Sequence, residues 1–180
     1  MGVMLLIDVL YPEVRSLGCP IRYPKNRRKE MDPLEVLGEF RLLDWSSIWL
    51  GYKRGWVRRE DICEYAISQL GDESSSESIA ILAGGNYLSD EEFEGIVLNE
   101  INSHDEARSL DKWRLAFLLC VAASNDSYDE KVSKLQEVYA EFGYPEDMAS
   151  CCIYSSDEVC PLKAMNAVVK DLKKKLLHQP

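Results

Sequence analysis

Histidine is nearly absent: His104 and His178 are the only two in 180 residues. His104 falls at the end of an expected helix, where a cation offsets the helix dipole, and His178 lies in a terminal LLHQP stretch where fraying is expected. A zinc site takes three or four ligands, and no second His or Cys follows His104 at ligand spacing, although Glu100 lies four residues before it. Basic charge is also short, with 21 Lys and Arg against 31 Asp and Glu for a net of −10. That excludes a dedicated nucleic-acid binder, whose footprint is basic. No run of 18 apolar residues exists to cross a membrane. The opening MGVMLLIDVLYPEV has no basic start and is interrupted by Asp8, so it reads as a packed helix or strand rather than a signal peptide. Leu6 stands where a myristoylation signal needs Ser or Thr.

What is present is ordinary globular material, 46% apolar and 29% charged in 20.6 kDa. A chain of this length buries roughly two thirds of its unfolded surface and needs no disulfide or metal to fold. Six cysteines (Cys19, Cys63, Cys120, Cys151, Cys152 and Cys160) form no paired framework, and Cys63 and Cys120 sit among apolar neighbours as buried thiols do. A reduced, cytoplasmic protein is expected. Residues 1–180 are expected to form one domain, with an N-terminal segment over 1–32 that carries a basic loop and a helical core over 33–180.

Charge is distributed in blocks. Residues 1–60 carry 11 basic against 8 acidic side chains, residues 61–160 carry 5 against 22, and residues 161–180 carry 5 against 1. Pro20 and Pro24 make an irregular loop of the basic stretch over 18–32. Helical signals follow it. Asp32 caps a helix with Pro33 in its first position, and Asp44 caps another with Trp45, Ile48 and Trp49 on one face. After Gly55, a third helix puts Ile62, Ala66 and Leu70 on one stripe with Cys63 and Ile67 beside it, and Gly71 stops it. Ser74 to Ser76 turn into a short helix, Ile79 to Ala83, closed by Gly84 and Gly85. Ser89 and Glu92 match a capping box that opens a helix over 89–103 with Phe93, Ile96, Val97, Glu100 and Ile101 along its first three turns. Asp111 is expected to cap an apolar helix from Trp113 to Ala123, the buried centre of a bundle. Residues 129–142 align Val132, Leu135, Val138, Tyr139 and Phe142, ending at Gly143 and Pro145. Val159, Leu162, Met165, Val169, Leu172 and Leu176 line a last helix with a lysine-rich outer face.

Alternating patterns are scarce: Val3–Val9 and Ala149–Tyr154 suit either an extended strand or a short helix. The expected class is all-α, a single-domain bundle or array with at most a short extended N-terminal segment. Chemistry-bearing motifs are sparse too. Gly84-Gly85-Asn86 has no lysine and serine to make a phosphate loop and reads as a helix stop. Cys151-Cys152 lacks the two-residue gap for chelation, and Trp45, Trp49, Trp56 and Trp113 are spaced as core. No thiol is marked locally as an activated nucleophile. No catalytic residue, cofactor site or metal site is expected, and the chain is not read as an enzyme.

Three stretches carry a resemblance. They are Leu43-Asp44-Trp45-Ser46 through Gly51 and Gly55 to Asp61-Ile62-Cys63-Glu64-Tyr65-Ala66; Lys112-Trp113-Arg114-Leu115; and Leu135-Gln136-Glu137-Val138-Tyr139-Ala140-Glu141-Phe142-Gly143-Tyr144-Pro145-Glu146. Over about residues 43–155 the chain resembles a family of small bacterial proteins, a domain of unknown function. Such proteins look like the immunity proteins encoded beside contact-dependent or polymorphic toxins. The resemblance implies a protein that binds and neutralises a cognate toxin C-terminal domain, with nucleases common among such toxins. It implies no catalytic residues and no direct contact with nucleic acid or membrane.

An acidic helical surface suits a nuclease cleft shaped for phosphate, and complementary fields speed association towards about 10⁸ M⁻¹s⁻¹ at low salt. The candidate surface is Asp90, Glu91, Glu92 and Glu94, continued by Glu100, Asp105 and Glu106. Further clusters are Asp126, Asp129 and Glu130, and Glu141, Glu146 and Asp147. The alternative expectation is a helical adaptor with an endogenous partner.

Overall fold

A computed structural model describes residues 31–71, 76–102, 105–155 and 159–177. The basic loop, the Val3–Val9 segment, Cys19, Ser74, Ser75, His104 and His178 lie outside the described residues. The fold is all-α. Eight α-helices and two 3₁₀ turns stand among the described residues, with no strand.

Short polar residues start most of these helices by meeting N–H groups that the first turn leaves without partners. Asp32 accepts from Leu34 N–H at 2.8 Å to open α1 (Pro33–Glu39), with Pro33 in the first turn. Asp44 and Ser47 exchange bonds at the start of α2 (Trp45–Lys53). The α3 helix (Arg59–Gln69) begins where Asp61 accepts from Arg58 N–H. Ser76 caps α4 (Glu77–Ala83), which closes at Gly84 into η1 (Gly85–Tyr87). The expected capping box of Ser89 and Glu92 opens α5 (Asp90–Asn99), and Ser127 and Glu130 form another at α7 (Tyr128–Glu141). Between them runs α6 (Glu106–Ala123); η2 (Glu146–Cys151) and α8 (Pro161–Leu177) follow α7.

The chain divides into two compact units, one of residues 43–109 and one of residues 1–42 with 110–180. In the smaller unit, α3 packs on α4, α4 on α5, and α2 on α5. Ile48, Ile62, Ala66, Leu82, Phe93 and Val97 fill its interior. Arg59 fastens α3 to the segment that follows α4. Its guanidinium donates to the carbonyls of Gly85 and Leu88 and to Asp90, and lies 4.3 Å from the centre of the Phe93 ring. Gly85 leaves room for this closure, since a Cβ there would stand 3.1 Å from the Phe93 ring.

In the larger unit, η2 and α7 both pack on α8, and η2 also packs on α7. Every residue of α6 from Asp111 to Ala122 is buried, as the apolar run predicts. Arg114 within that run donates to Asp111 at 2.7 Å and to both carboxylate oxygens of Asp147 at 2.7 and 2.8 Å. Lys175 on α8 closes the network onto Asp111.

Several expectations are corrected. The α6 helix starts at Glu106 rather than after Asp111, because Asp105 accepts from Arg108 N–H at 2.9 Å and satisfies the first turn earlier. Asp111 is therefore an interior residue that balances Arg114 and Lys175. The α5 helix stops at Asn99 rather than at 103, with Glu100 as its C-cap. Ala149–Tyr154 is not extended: η2 covers it as far as Cys151. Ile67, Leu70 and Val159 are exposed rather than core. On α7 the interior stripe is Lys131, Leu135 and Val138, so a lysine occupies one of its core positions.

Candidate functional site

Formal charge separates along the division into units. Residues 43–109 hold 14 acidic and 5 basic side chains, net −9, and the rest of the chain holds 17 and 16, net −1. The ten acidic candidates separate in the same way: Asp90, Glu91, Glu92, Glu94, Glu100, Asp105 and Glu106 belong to the smaller unit, and Asp126, Asp129 and Glu130 to the larger.

Much of this acidity is tied into local structure. Asp90 pairs with Arg59 at 2.8 Å while its own side chain remains 85% exposed. Glu92 accepts from the Ser89 backbone N–H and hydroxyl, which holds its carboxyl below the usual range. Glu94 meets Lys53 of α2 at 3.1 Å, and Glu100 accepts from the Ser76 hydroxyl at 2.8 Å. In the larger unit Asp126 binds Lys134; burial raises the Asp126 carboxyl, but the hydrogen bonds of Lys134 and Ser124 with the charges of Lys134 and Lys131 together lower it. Glu130 is lowered by the Ser127 hydroxyl and N–H, and Asp147 is held by Arg114. Glu91, Glu106 and Asp129 stand exposed in the first turns of their helices, where a negative charge opposes the helix dipole favourably.

The smaller unit also contains a groove of about 280 Å³. Ser46, Trp49, Leu50 and Lys53 of α2 line one side; Ile101, Asp105 and the first turn of α6, Glu106 and Ser109, line the other. Two of the sequence-predicted acids, Asp105 and Glu106, therefore line the same groove as Trp49, Leu50 and Lys53. Trp49 is half-buried, stacks on Tyr52 with ring centres 5.8 Å apart, and carries the Lys53 ammonium 5.0 Å from its ring centre. The tryptophans were expected as core; Trp113 is core, whereas Trp49 lines this groove. The i, i+4 spacing of Trp49 and Lys53 is the signal that could have marked the pair.

Among the described residues, no three His, Cys, Asp or Glu side chains are grouped to hold a metal ion. Cys63, Cys120 and Cys151 are buried thiols, Cys120 donating to the Met31 carbonyl, and burial pushes Cys151 up to about 11. Cys160 departs from the expectation that no thiol is marked locally. It precedes α8, shares a 3.3 Å hydrogen bond with the Tyr128 hydroxyl, and is lowered by that bond and by the Lys163 N–H. No described helix is long and apolar enough to cross a membrane.

No curated relative and no solved structure matches the chain. A family model does, over residues 26–178, so the similarity reaches beyond both ends of the 43–155 stretch that carries the sequence resemblance. The chain belongs to the family described as uncharacterized protein conserved in bacteria (DUF2247).

Proposed function

We propose that this protein is a cytoplasmic binding protein that neutralises a cationic protein partner, in the manner of an immunity protein against a toxin domain, with no turnover of its own. The observation that carries this reading is the concentration of net charge −9 in the 67 residues from 43 to 109. A nuclease toxin presents positive potential to phosphate, and a compact acidic body that approaches it is steered by the complementary field. Glu92 is held by its capping box and Glu94 by Lys53, so part of this charge has a set position.

Co-expression with the product of the adjacent reading frame tests the proposal. Rescue of growth and co-purification of the two chains are expected, with an association rate that falls steeply as salt rises. Failure of both rescue and co-purification overturns it. A second reading, a helical adaptor for an endogenous partner, is favoured by Ile81, Tyr87 and Leu98 of the same unit, which are 42%, 96% and 42% exposed. That reading predicts binding that salt leaves nearly unchanged, because apolar burial is not screened.

A further inference from the structure

We infer that one edge of α7 is a two-fold contact for a second copy of this chain. The inference stands apart from the binding reading above, because every residue in it belongs to the larger unit.

Among the described residues the larger unit exposes six large apolar side chains, and five of them gather along this edge: Tyr128, Tyr144, Ile153, Tyr154 and Val159, each 49% to 88% exposed. Three contacts with α7 bring them together. Tyr128, in the first turn, meets Cys160, the neighbour of Val159, at 3.3 Å. Some two turns on, Gln136 donates to the Cys151 carbonyl and accepts from Ile153 N–H, which fixes the backbone that carries Ile153 and Tyr154 beside the helix. Tyr139, in the last turn, stacks edge-on against Tyr144 with ring centres 5.1 Å apart. At 3.6 residues per turn, positions 128, 136 and 139 fall within a sector of about 80°, so the patch follows one side of the helix for about 16 Å.

Size and charge select the occupant. A tyrosine buries about 150–250 Å², so at these exposures the three tyrosines present about 400 Å², and Ile153 and Val159 bring the patch to about 500 Å². That is near the top of the range for the largest apolar patch on a monomer. It is also more than half of the roughly 800 Å² that each partner brings to a stable interface, whose rim is polar in any case. In a two-fold contact the same patch meets itself, so a charged one would be self-repelling. None of the five residues is charged, and residues 1–42 with 110–180 carry a net −1 against −9 for residues 43–109. A chain of net −10 therefore meets its copy at least electrostatic cost through the larger unit. Tyrosine suits such self-pairing, since its ring stacks on another ring while its hydroxyl keeps a polar partner.

Sedimentation velocity of the full chain over a concentration series tests the contact. A reversible monomer–dimer equilibrium is expected. Tyr154→Asp sets like charges against each other across the two-fold axis and should weaken the dimer about tenfold or more. Tyr154 is 88% exposed, so the variant keeps the fold, and Ile153→Ser repeats the test without adding charge, with a loss of about threefold. Tyr87→Ser removes a comparably exposed tyrosine from the smaller unit and should leave the equilibrium unchanged. A monomer at every concentration, a dimer that both Tyr154→Asp and Ile153→Ser leave intact, or an equal loss in Tyr87→Ser each overturns the inference. A monomer whose complex with the product of the adjacent reading frame is lost in Tyr154→Asp overturns it too and gives the patch to that partner. Growth rescue by a strictly monomeric chain leaves the binding reading standing without this contact.

Discussion

In the larger unit Asp111, Lys112, Arg114 and Lys131 are all buried, whereas among the described residues of the smaller unit every charged side chain reaches solvent at least in part. The larger unit surrounds the α6 run with helices and balances charge inside, Arg114 against Asp111 and Asp147, and Lys175 against Asp111. The smaller unit, with fewer residues to cover a core, turns its charge outward and fixes it there with capping boxes and cross-helix pairs. The same residue types therefore serve different ends. Inside the larger unit an ion pair constrains the fold; on the smaller one the unbalanced remainder is a field that another molecule can feel.

The sharpest way to break this comparison is to remove the one arginine that fastens each unit. Arg114→Met leaves Asp111 in the interior with Lys175 as its remaining cationic partner, and leaves Asp147 without its bidentate donor. Stability should fall by about 2–4 kcal/mol, somewhat under the cost of stranding a buried charge because Lys175 still holds Asp111 and Asp147 is half exposed. Arg59→Met frees two backbone carbonyls and an exposed Asp90, a milder loss of about 1–3 kcal/mol. Urea unfolding of both variants checks the ordering. Equal losses would show that the smaller unit also depends on internal charge.

Lys131 sharpens the comparison from the other side, because it is a buried charge in the larger unit that lacks compensation. It is 1% exposed, and its Nζ has no hydrogen-bond partner among the described residues. Burial lowers the amine to about 8, with Lys134 adding to the shift and Asp126 only partly opposing it. Below pH 8 the native state must hold a buried ammonium, and between about 8 and 10.5 the unfolded chain binds the proton that the folded one has released. Stability therefore rises with pH across that window. Lys131→Met should stabilise by on the order of 2 kcal/mol at pH 7 and flatten the rise, which denaturant melts at pH 7 and pH 10 would record. A destabilised variant, or an unchanged pH slope, would mean that the ammonium finds compensation in solution.

This lysine also shows where sequence reading stops. Periodicity and caps placed the helices well: Asp32, Asp44, Ser89 and the glycine stops all mark real boundaries. These signals are local, carried by residues three or four apart, and they survive without knowledge of the tertiary fold. Lys131 on an interior stripe, Asp111 as an interior counter-ion rather than a cap, and Ile67 and Leu70 in solvent depend on which neighbouring helix covers which face. The acidic candidates were legible as a block, but not their individual commitments. Asp90 to Arg59, Glu94 to Lys53 and Asp147 to Arg114 are each 31 or more residues apart in sequence. The groove was hidden for the same reason, since Trp49 and Glu106 line one surface only through the packing of the smaller unit.

The smallest expected effect is one in which the two units should agree. Ser89 and Ser127 open α5 and α7 with the same capping box, each hydroxyl accepting from the N–H of the third helical residue while the glutamate there returns to the serine N–H. Either Ser→Ala change removes one first-turn acceptor and should cost about 1 kcal/mol, irrespective of the unit in which it sits. The paired glutamate provides an independent readout. Glu92 and Glu130 are both held below the usual carboxylate range by their serine, so each contributes stability present above the unfolded pKa and lost as pH falls through the folded one. In Ser89→Ala and Ser127→Ala the carboxyl should move back towards its ordinary value, measurable by NMR titration of the side-chain carboxyl carbon. The shifts should be alike, because both boxes are solvent-exposed and owe their strength to local hydrogen bonds. A clearly larger change at Glu92 would reveal that the acidic surroundings of the smaller unit add repulsion to it, tying even its helix caps to the charge that the unit carries.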